Sequence, residues 1–351
     1  MGNKIAILQV ADTGPLESLV VMLNAVGYDC YLPDSQLRDE LRRIGCDTVL
    51  DIKGLVQNWG YDPPFELPPA SIKLMDKCDL YVDVKAQRNG KLVCKRWPRI
   101  ASRLLWYRIN GGAPEHVIKE NGFDCGDEAN PGCPILTPNM CYKEPGPWSN
   151  STYVAWPPFV RLNDYYGRFN RLKGCLTDVY HNPVCFIHNI NGWGYASLVE
   201  PMRDIGVRVH GVNSPDDLLL HRDIPLKLSS TLAMVHMKSS DAPGYAMYEC
   251  LAAACPLIVT RRMIWRCKME ELLIPDKTCL VFDRIGHQEL TKQDVVECTK
   301  EVQEHLRKLQ NPEYNRKIGM AGYNKLLQVL WSPTRSADVE SLNKFMRKVF
   351  P

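Results

Sequence analysis

Apolar residues along this chain follow two alternating patterns. Short continuous runs are separated by stretches in which apolar positions recur every three or four residues. The runs at 5–10, 28–32, 47–52, 79–84 and 104–109 predict strands. Residues 16–26 predict a helix, as does a segment opening at Ser35 with Leu37, Leu41 and Ile44 on one face; a further helix ends near Arg103. The second half repeats the alternation, with strands at 183–189, 207–211, 257–260 and 279–283, an apolar segment at 231–237 and a helix at 196–205. Three helices follow. Residues 294–309 carry Val295, Val302, Leu306 and Leu309 as a core stripe, 312–330 come next, and 336–349 put Val339, Leu342, Phe345, Met346 and Val349 on one face. Strands alternating with helices predict an α/β chain with parallel, doubly wound sheets. Ligands of such sheets bind beyond the carboxyl ends of the strands. Residues 122–150, rich in Gly, Pro, Cys and Asn, read as a long excursion serving as an acceptor lid or a partner surface, and 161–178 read as a linker.

The most specific chemistry lies between the apolar segment and the run at 257–260. In Asp241-Ala-Pro-Gly244-Tyr-Ala-Met-Tyr-Glu249 two carboxylates stand eight positions apart around a Pro-Gly turn, with a helix beginning near Tyr245. Gly244 permits backbone geometry that a Cβ would forbid. A helix start offers N–H groups and the positive end of the dipole to an anion. Glu249, about one turn inside, is placed to accept hydrogen bonds from hydroxyls. Phosphates at the helix start, with polyol hydroxyls at Glu249 and Asp241, describe a nucleotide-sugar.

This segment resembles the donor-site signature of GT-B glycosyltransferases, in particular the large retaining family that carries Glu-x7-Glu in the pattern Glu-Gly-Phe-Gly-Leu-x-x-x-Glu-Ala-x-Ala-x-Gly-x-Pro. Asp241 takes the first acidic place, Gly244 the second glycine, Glu249 the second Glu and Pro256 the proline. Upstream, Val207-Arg-Val-His-Gly211 and Ser214-Pro-Asp-Asp-Leu218 resemble the family's strand, glycine and helix. Downstream, Cys279-Leu-Val-Phe-Asp283 resembles its next strand, so the likeness covers roughly residues 183–300. Some departures from the pattern bear on the chemistry. Asp241 is one methylene shorter than Glu, and Ala254 stands where the family has Gly. The basic pair that follows the first donor-domain strand is missing from Phe186-Ile-His188-Asn189-Ile-Asn191-Gly192-Trp193-Gly194, which shifts the expected phosphate charge to Lys238, Arg261 or Arg262.

The resemblance implies a GT-B fold: two Rossmann-like, doubly wound domains facing across a cleft, with a C-terminal helix crossing back to the N-terminal domain. The expected limits are 1–175 for an acceptor-binding domain, 176–332 for a nucleotide-sugar-binding domain and 333–351 for the crossover helix. It implies a metal-independent, retaining transfer of a sugar from a nucleotide-diphospho-sugar to an acceptor hydroxyl. A UDP-sugar is the expected co-substrate, and no cofactor or metal is expected. Asp241 and Glu249 are the candidate catalytic pair, joined by Asp12 and His116 from loops that follow predicted strands. Donor contacts are expected from Asn189, Gly192, Gly211, Lys238, Pro243, Gly244, Tyr245 and Glu249. Acceptor contacts are expected from Thr13, Gly14, Trp97, Arg108, Asn110, Gly111 and Gly112. A sugar-nucleotide epimerase and a non-catalytic nucleotide-sugar-binding protein are the alternatives.

Composition narrows the setting. The chain has 351 residues, 45% hydrophobic, enough for about two domains with sizeable cores. It contains no run of about 18 apolar residues and no signal-peptide h-region, so a cytoplasmic protein without a membrane span is expected. Its 14 cysteines are then expected as free thiols. Cys125, Cys133 and Cys141 are evenly spaced but lack a Cys-x2-Cys pair or a nearby His. Gly192-Trp-Gly194 lacks the third glycine of a dinucleotide fingerprint, which excludes a Rossmann dehydrogenase. A net charge of +3 does not demand nucleic acid. Phage enzymes that glucosylate hydroxymethylated DNA bases nevertheless share the GT-B fold, so duplex DNA is an acceptor candidate beside a small molecule or glycan precursor. The discriminating feature is whether Lys95, Arg96, Arg99, Arg103 and Arg108, interleaved with Trp97 and Trp106, line the cleft.

Overall fold

The structure is a computed structural model that describes residues 4–9, 14–33, 46–49, 69–84, 96–107, 135–137, 153–155, 182–189, 196–216, 219, 223–238, 245–266, 269–282 and 290–350. The chain divides into two compact units: 1–159 together with 331–351, and 160–330.

Among the described residues of the first unit seven parallel strands form one sheet. They are β1 (Lys4–Gln9), β2 (Tyr28–Pro33), β3 (Cys46–Val49), β4 (Leu80–Val84), β5 (Leu104–Tyr107), β6 (Ile135–Thr137) and β7 (Tyr153–Ala155), in the order β3-β2-β1-β4-β5-β6-β7. Period-two alternation divides its side chains between two cores. Ala6, Leu8, Leu80, Val82 and Leu105 face α1 (Gly14–Ala25), whose Leu19, Val20 and Leu23 are buried. Ile7 and Tyr81 face Met75 of α2 (Pro69–Lys77) and Ile100 of the 3-10 turn Pro98–Arg103. The Gly/Pro-rich stretch at 122–150 conceals β6, and β7 follows it. Each is only three residues long, too short to show a period in the sequence. The helix expected from Ser35 lies outside the described residues.

Among its described residues the second unit holds five parallel strands, β8 (Val184–Asn189), β9 (Arg208–Val212), β10 (Met234–His236), β11 (Leu257–Thr260) and β12 (Leu280–Phe282), in the order β12-β11-β10-β8-β9. Its helices among the described residues are α3 (Val199–Asp204), α4 (Ile224–Ser229), α5 (Tyr245–Ala252), α6 (Arg261–Arg266), α7 (Lys292–Leu309) and α8 (Pro312–Val329). Residues of α5, α6 and α8 bury one face of the sheet, with Met234, Leu257 and Val259. Residues of α3 and α7 bury the other, with Cys185, Ile187, Val235 and Ile258. The start of α7 is set by a capping box: the Thr291 hydroxyl accepts from the Asp294 N–H at 3.2 Å, and the Asp294 carboxylate accepts from the Thr291 N–H at 2.8 Å.

The last helix, α9 (Ser336–Val349), belongs to the first unit. Leu342, Phe345 and Met346 are buried with Ala6, Leu8 and Leu19, and Val339 and Val349 pack beside them. The apolar stripe predicted for this helix is thus spent on the first sheet. Its entry is held by the Trp331 indole N–H, 3.2 Å from the Asp338 carbonyl, and by the Ser332 N–H, 2.9 Å from the Asp338 carboxylate. Among the described residues no helix is long and apolar enough to cross a membrane.

Candidate functional site

Strand order locates the site. From β8 the chain first builds outward to β9, then reverses to β10, β11 and β12 on the other side. The reversal between β8 and β10 is a topological switch point, and in doubly wound sheets the ligand crevice opens at the carboxyl ends there. Strand β8 reaches that edge at Asn189, β10 at His236 and β11 at Thr260. The chain leaves β10 through Lys238, half-buried, whose carbonyl accepts from the Thr260 hydroxyl at 3.4 Å. Thr260 also caps α6, accepting from the Met263 N–H at 3.1 Å. Arg261 and Arg262 follow directly; the first is exposed and the second only 8% exposed.

Helix α5 begins at Tyr245 and carries Glu249 in its second turn, 2% exposed. A carboxylate taken out of water must be compensated by hydrogen bonds or charge, so this position selects for more than helix formation. At the end of α5 the Cys255 N–H donates to the Cys250 carbonyl at 3.0 Å and the Ala254 N–H to the Leu251 carbonyl at 2.9 Å. This pair of bonds is a Schellman motif, which needs a left-handed residue. Ala254 supplies it at φ 51°. The glycine of the resembled pattern has a conformational reason here, and alanine meets it under strain.

Helix α8 holds α5 in place at very short range. A Cβ on Gly319 would lie 2.1 Å from the Ala254 carbonyl oxygen, and one on Gly322 would lie 2.7 Å from Leu251 Cδ2 and 3.0 Å from the Thr278 oxygen. Only glycines allow this approach. Gly211 does the same between strands: at φ 152° its missing Cβ would stand 1.5 Å from the Ile187 oxygen, beside the register shift between Ile187 and Asn189. Gly211 therefore has a packing role in joining β9 to β8. Nearby, the His210 ring stacks on Phe186 with centroids 5.8 Å apart.

Burial dominates the electrostatics. His236 is 1% exposed, and its imidazole is pushed down to about 3, first by burial and then by the charge of Lys238, with its own backbone carbonyl pulling weakly the other way. The ring is neutral at physiological pH. Burial pushes the Cys185 and Cys279 thiols up to about 12. Cys30, Cys78, Cys185, Cys250, Cys255, Cys279 and Cys298 are buried thiols outside any disulfide. Cys125, Cys133 and Cys141 lie outside the described residues. Sequence reasoning read His236 as part of an apolar strand and gave it no role. Its only signal is a lone histidine at the carboxyl end of that run.

The basic cluster of the first unit stands elsewhere than its composition suggested. Arg96, Trp97, Arg99 and Arg103 precede β5, so they lie toward the amino ends of the strands, opposite the edge where ligands bind. Trp97, 8% exposed, packs with Met75, Tyr81 and Ile100, and its indole N–H donates to the Asp76 carboxylate at 3.2 Å. Arg96 covers the outer face of this ring, 5.0 Å from its centroid. Arg99 donates to the Met75 and Cys78 carbonyls, and Arg103 pairs with Asp79 at 3.3 Å. These groups build the fold at that end, and Trp97 offers no open ring for stacking a sugar or base.

Of the remaining predicted residues, Asn189 ends β8, Gly14 opens α1, and Lys238, Tyr245 and Glu249 share the β10–α5 crossover. Asp12, Thr13, Arg108, Asn110, Gly111, Gly112, His116, Gly192, Asp241, Pro243 and Gly244 lie outside the described residues.

No protein-family model matches the chain, and no curated protein matches it in sequence. Solved structures match it along its whole length. Anabaena HepE, determined in complex with UDP and glucose, is 11% identical with a TM-score of 0.60, covering 99% of this chain and 98% of that one. Sucrose-phosphate synthase from Thermosynechococcus elongatus is 14% identical with a TM-score of 0.61 over 99% of both chains. Arabidopsis thaliana UGT89C1, complexed with quercetin, is 8% identical with a TM-score of 0.57 over 100% of both. Identities this low establish shared architecture, and that architecture is specific: the chain has the GT-B glycosyltransferase fold, two Rossmann-like units with the C-terminal helix returned to the first.

Proposed function

We propose that this protein is a glycosyltransferase that moves a sugar from a nucleotide-diphospho-sugar, with a UDP-sugar as the first candidate, to an acceptor hydroxyl, with retention and without a metal. The observation that carries the proposal is the β10–α5 crossover. A buried Glu249 stands in the second turn of a helix that starts beside the switch point of the second sheet, with Lys238 and Arg262 at the same edge.

In this reading Glu249 accepts hydrogen bonds from the ribose hydroxyls. Asp241 and the N–H groups of residues 242–245 hold the transferred sugar and the diphosphate. The bond from the anomeric carbon to the diphosphate oxygen breaks, and a bond to the acceptor oxygen forms on the same face of the sugar. The acceptor proton passes to the departing diphosphate. Charge on the leaving group is met by the helix dipole, backbone N–H groups and Lys238, with Arg262 the second cation of the edge. Asp12 and His116 are the candidates to orient the acceptor. A small molecule or glycan precursor is favoured over duplex DNA, because Arg96, Arg99 and Arg103 are engaged at the amino ends of β4 and β5. HepE's structure with UDP and glucose supports the choice of first probe.

The test is a thermal-shift screen against UDP-, GDP-, ADP- and TDP-sugars, since a ligand of the native state raises its stability with concentration. One nucleotide-sugar is expected to stabilise the protein, and Glu249→Gln and Glu249→Ala to lose that stabilisation and all transfer while still folding. Full binding and turnover in both variants would sink the donor-site assignment. Turnover of a nucleotide-sugar with no acceptor would show an epimerase instead.

A further inference from the structure

We propose that His236 is a ligand-binding residue of this site, a neutral hydrogen-bond partner for one hydroxyl of the donor. The inference rests on the donor-site reading above and adds to it a residue that the sequence pattern does not mark.

Position comes first. His236 is the last residue of β10, the strand beside the switch point. Strand alternation puts it on the same face as Met234, the face covered by α5, while Val235 and Met237 enter the opposite core. It therefore stands at the ligand edge of the sheet, on the side of the helix that carries Glu249. Burial comes second. The residue is 1% exposed, yet its Nδ1 makes no hydrogen bond of regular geometry among the described residues, only a weak contact with its own backbone carbonyl. Buried polar atoms of native proteins are almost always paired, and an exception calls for a function or a missing partner. Met234, its neighbour on the same face of β10, is fully buried and apolar. An aliphatic side chain would suit the same place in the ligand-free protein.

Chemistry selects the partner. A neutral imidazole offers one N–H and one lone pair, in either tautomer. A hydroxyl both donates and accepts, so it satisfies either form. A diphosphate oxygen only accepts, and as an anion it is better served by Lys238, two residues nearer the rim and about 7 Å further along the strand direction. Lys238 also disfavours the imidazolium, so His236 does not act as the missing second phosphate cation. The hydroxyl belongs to the transferred sugar or to the ribose.

The test uses the full-length protein, with His236→Leu and His236→Asn beside the wild type and Glu249→Gln. Affinities for UDP-, GDP-, ADP- and TDP-glucose are measured by titration, then for the nucleoside diphosphate matching the one that binds. His236→Leu is expected to weaken nucleotide-sugar binding about tenfold while the free protein is as stable as wild type at neutral pH, or more so. His236→Asn, whose amide lies near the place of Nδ1, should keep most of the affinity. Loss for the nucleotide-sugar alone assigns the hydroxyl to the transferred sugar; equal loss for the diphosphate assigns it to the ribose. Unchanged affinity of His236→Leu for both ligands overturns the proposal, and if Glu249→Gln still loses binding, the donor-site reading survives it. No binding by the wild type overturns both. Should His236→Leu not fold, the ring resonances of histidine-labelled wild type, assigned with His236→Asn, decide: a His236 signal unmoved by saturating ligand overturns the proposal.

Discussion

Replacing Gly319 by Ala sets two effects of known size against each other. In a helix interior alanine is better than glycine by about 1 kcal/mol, so on propensity alone the variant is more stable. The new methyl, however, would be placed 2.1 Å from the Ala254 carbonyl oxygen and 3.0 Å from its carbon. A carbon and a carbonyl oxygen approach to about 3.3 Å at closest, so α8 must retreat by roughly 1 Å from α5. The obstacle is backbone fixed in a Schellman turn, and no rotamer change relieves it. Overpacking of this kind costs about 1–3 kcal/mol, sometimes more, and the retreat also opens the apolar core shared by Leu251, Leu326 and Leu330. The clash wins, and a net loss of about 2 kcal/mol is expected. Gly322→Ala meets the flexible end of Leu251 at 2.7 Å and the Thr278 oxygen at 3.0 Å, so it should cost less than about 1 kcal/mol. The assay is urea unfolding of both variants followed by circular dichroism, with donor-induced thermal shift as a second reading. Displacing the end of α5 disturbs the helix that holds Glu249, so Gly319→Ala should also weaken donor binding. A Gly319→Ala protein as stable as wild type, or less affected than Gly322→Ala, would refute the close α5–α8 approach.

Ala254→Gly removes left-handed strain worth about 1–2 kcal/mol and adds back part of it as unfolded-chain entropy; a gain of about 0.5–1 kcal/mol is expected, seen as a higher urea midpoint, whereas Ala252→Gly within α5 should lose about 1 kcal/mol. Trp97→Phe should lower the melting temperature, because it deletes the indole bond to Asp76, and leave the acceptor KM unchanged; a raised KM at unaltered stability would return Trp97 to the binding surface. The unfolded chain protonates His236 near its ordinary 6.5, but the folded chain resists to about 3, so stability present above pH 6.5 is lost progressively as pH falls through that interval. The loss is of order 3–5 kcal/mol, and His236→Leu should flatten acid denaturation followed by fluorescence; an unchanged acid limb in that variant would contradict the buried neutral ring. Both Glu249 variants belong with this set, with transfer abolished and fold retained.

Elements were legible where a continuous run or a long amphipathic face specified them. Residues 257–260 and 336–349 match β11 and α9 to the residue, and 183–189 exceeds β8 by one. Glycine and proline content hid β6 and β7, whose three residues carry no period of their own. Helices α4 and α6 were not foreseen, since six residues make fewer than two turns of pattern. The place of Glu249 at the head of a crossover helix was legible because a turn signal and two apolar runs bracket it. The role of Gly319 was not: a glycine inside a helix reads as a weakness until the backbone oxygen of another helix is seen against it. His236 failed for the same reason, since its meaning depends on which face of β10 it takes and on the lack of a regular hydrogen bond at its buried Nδ1.

The polarity of the strands also disciplines the search for the acceptor. Every observed pairing in the seven-stranded sheet is parallel, so all its strands end at one edge and begin at the other. A residue that follows a strand in sequence leaves from the edge where ligands bind, and one that precedes a strand does not. Trp97 and its arginines precede β5, whereas Arg108, Asn110, Gly111 and Gly112 follow it, and Asp12 and Thr13 follow β1. Both groups contain arginine, but only the second has the right place in the chain. Arg96 against Trp97, Arg99 on the carbonyls that end α2 and Arg103 on Asp79 then have a common explanation as closures of the amino edge, each meeting polar or aromatic groups already present in the fold. If the proposed transfer holds, acceptor contacts of the first unit are to be sought after β1 and β5, the latter followed in sequence by the consecutive Gly111 and Gly112, and a charge cluster is evidence for a polyanion only when it stands at that edge.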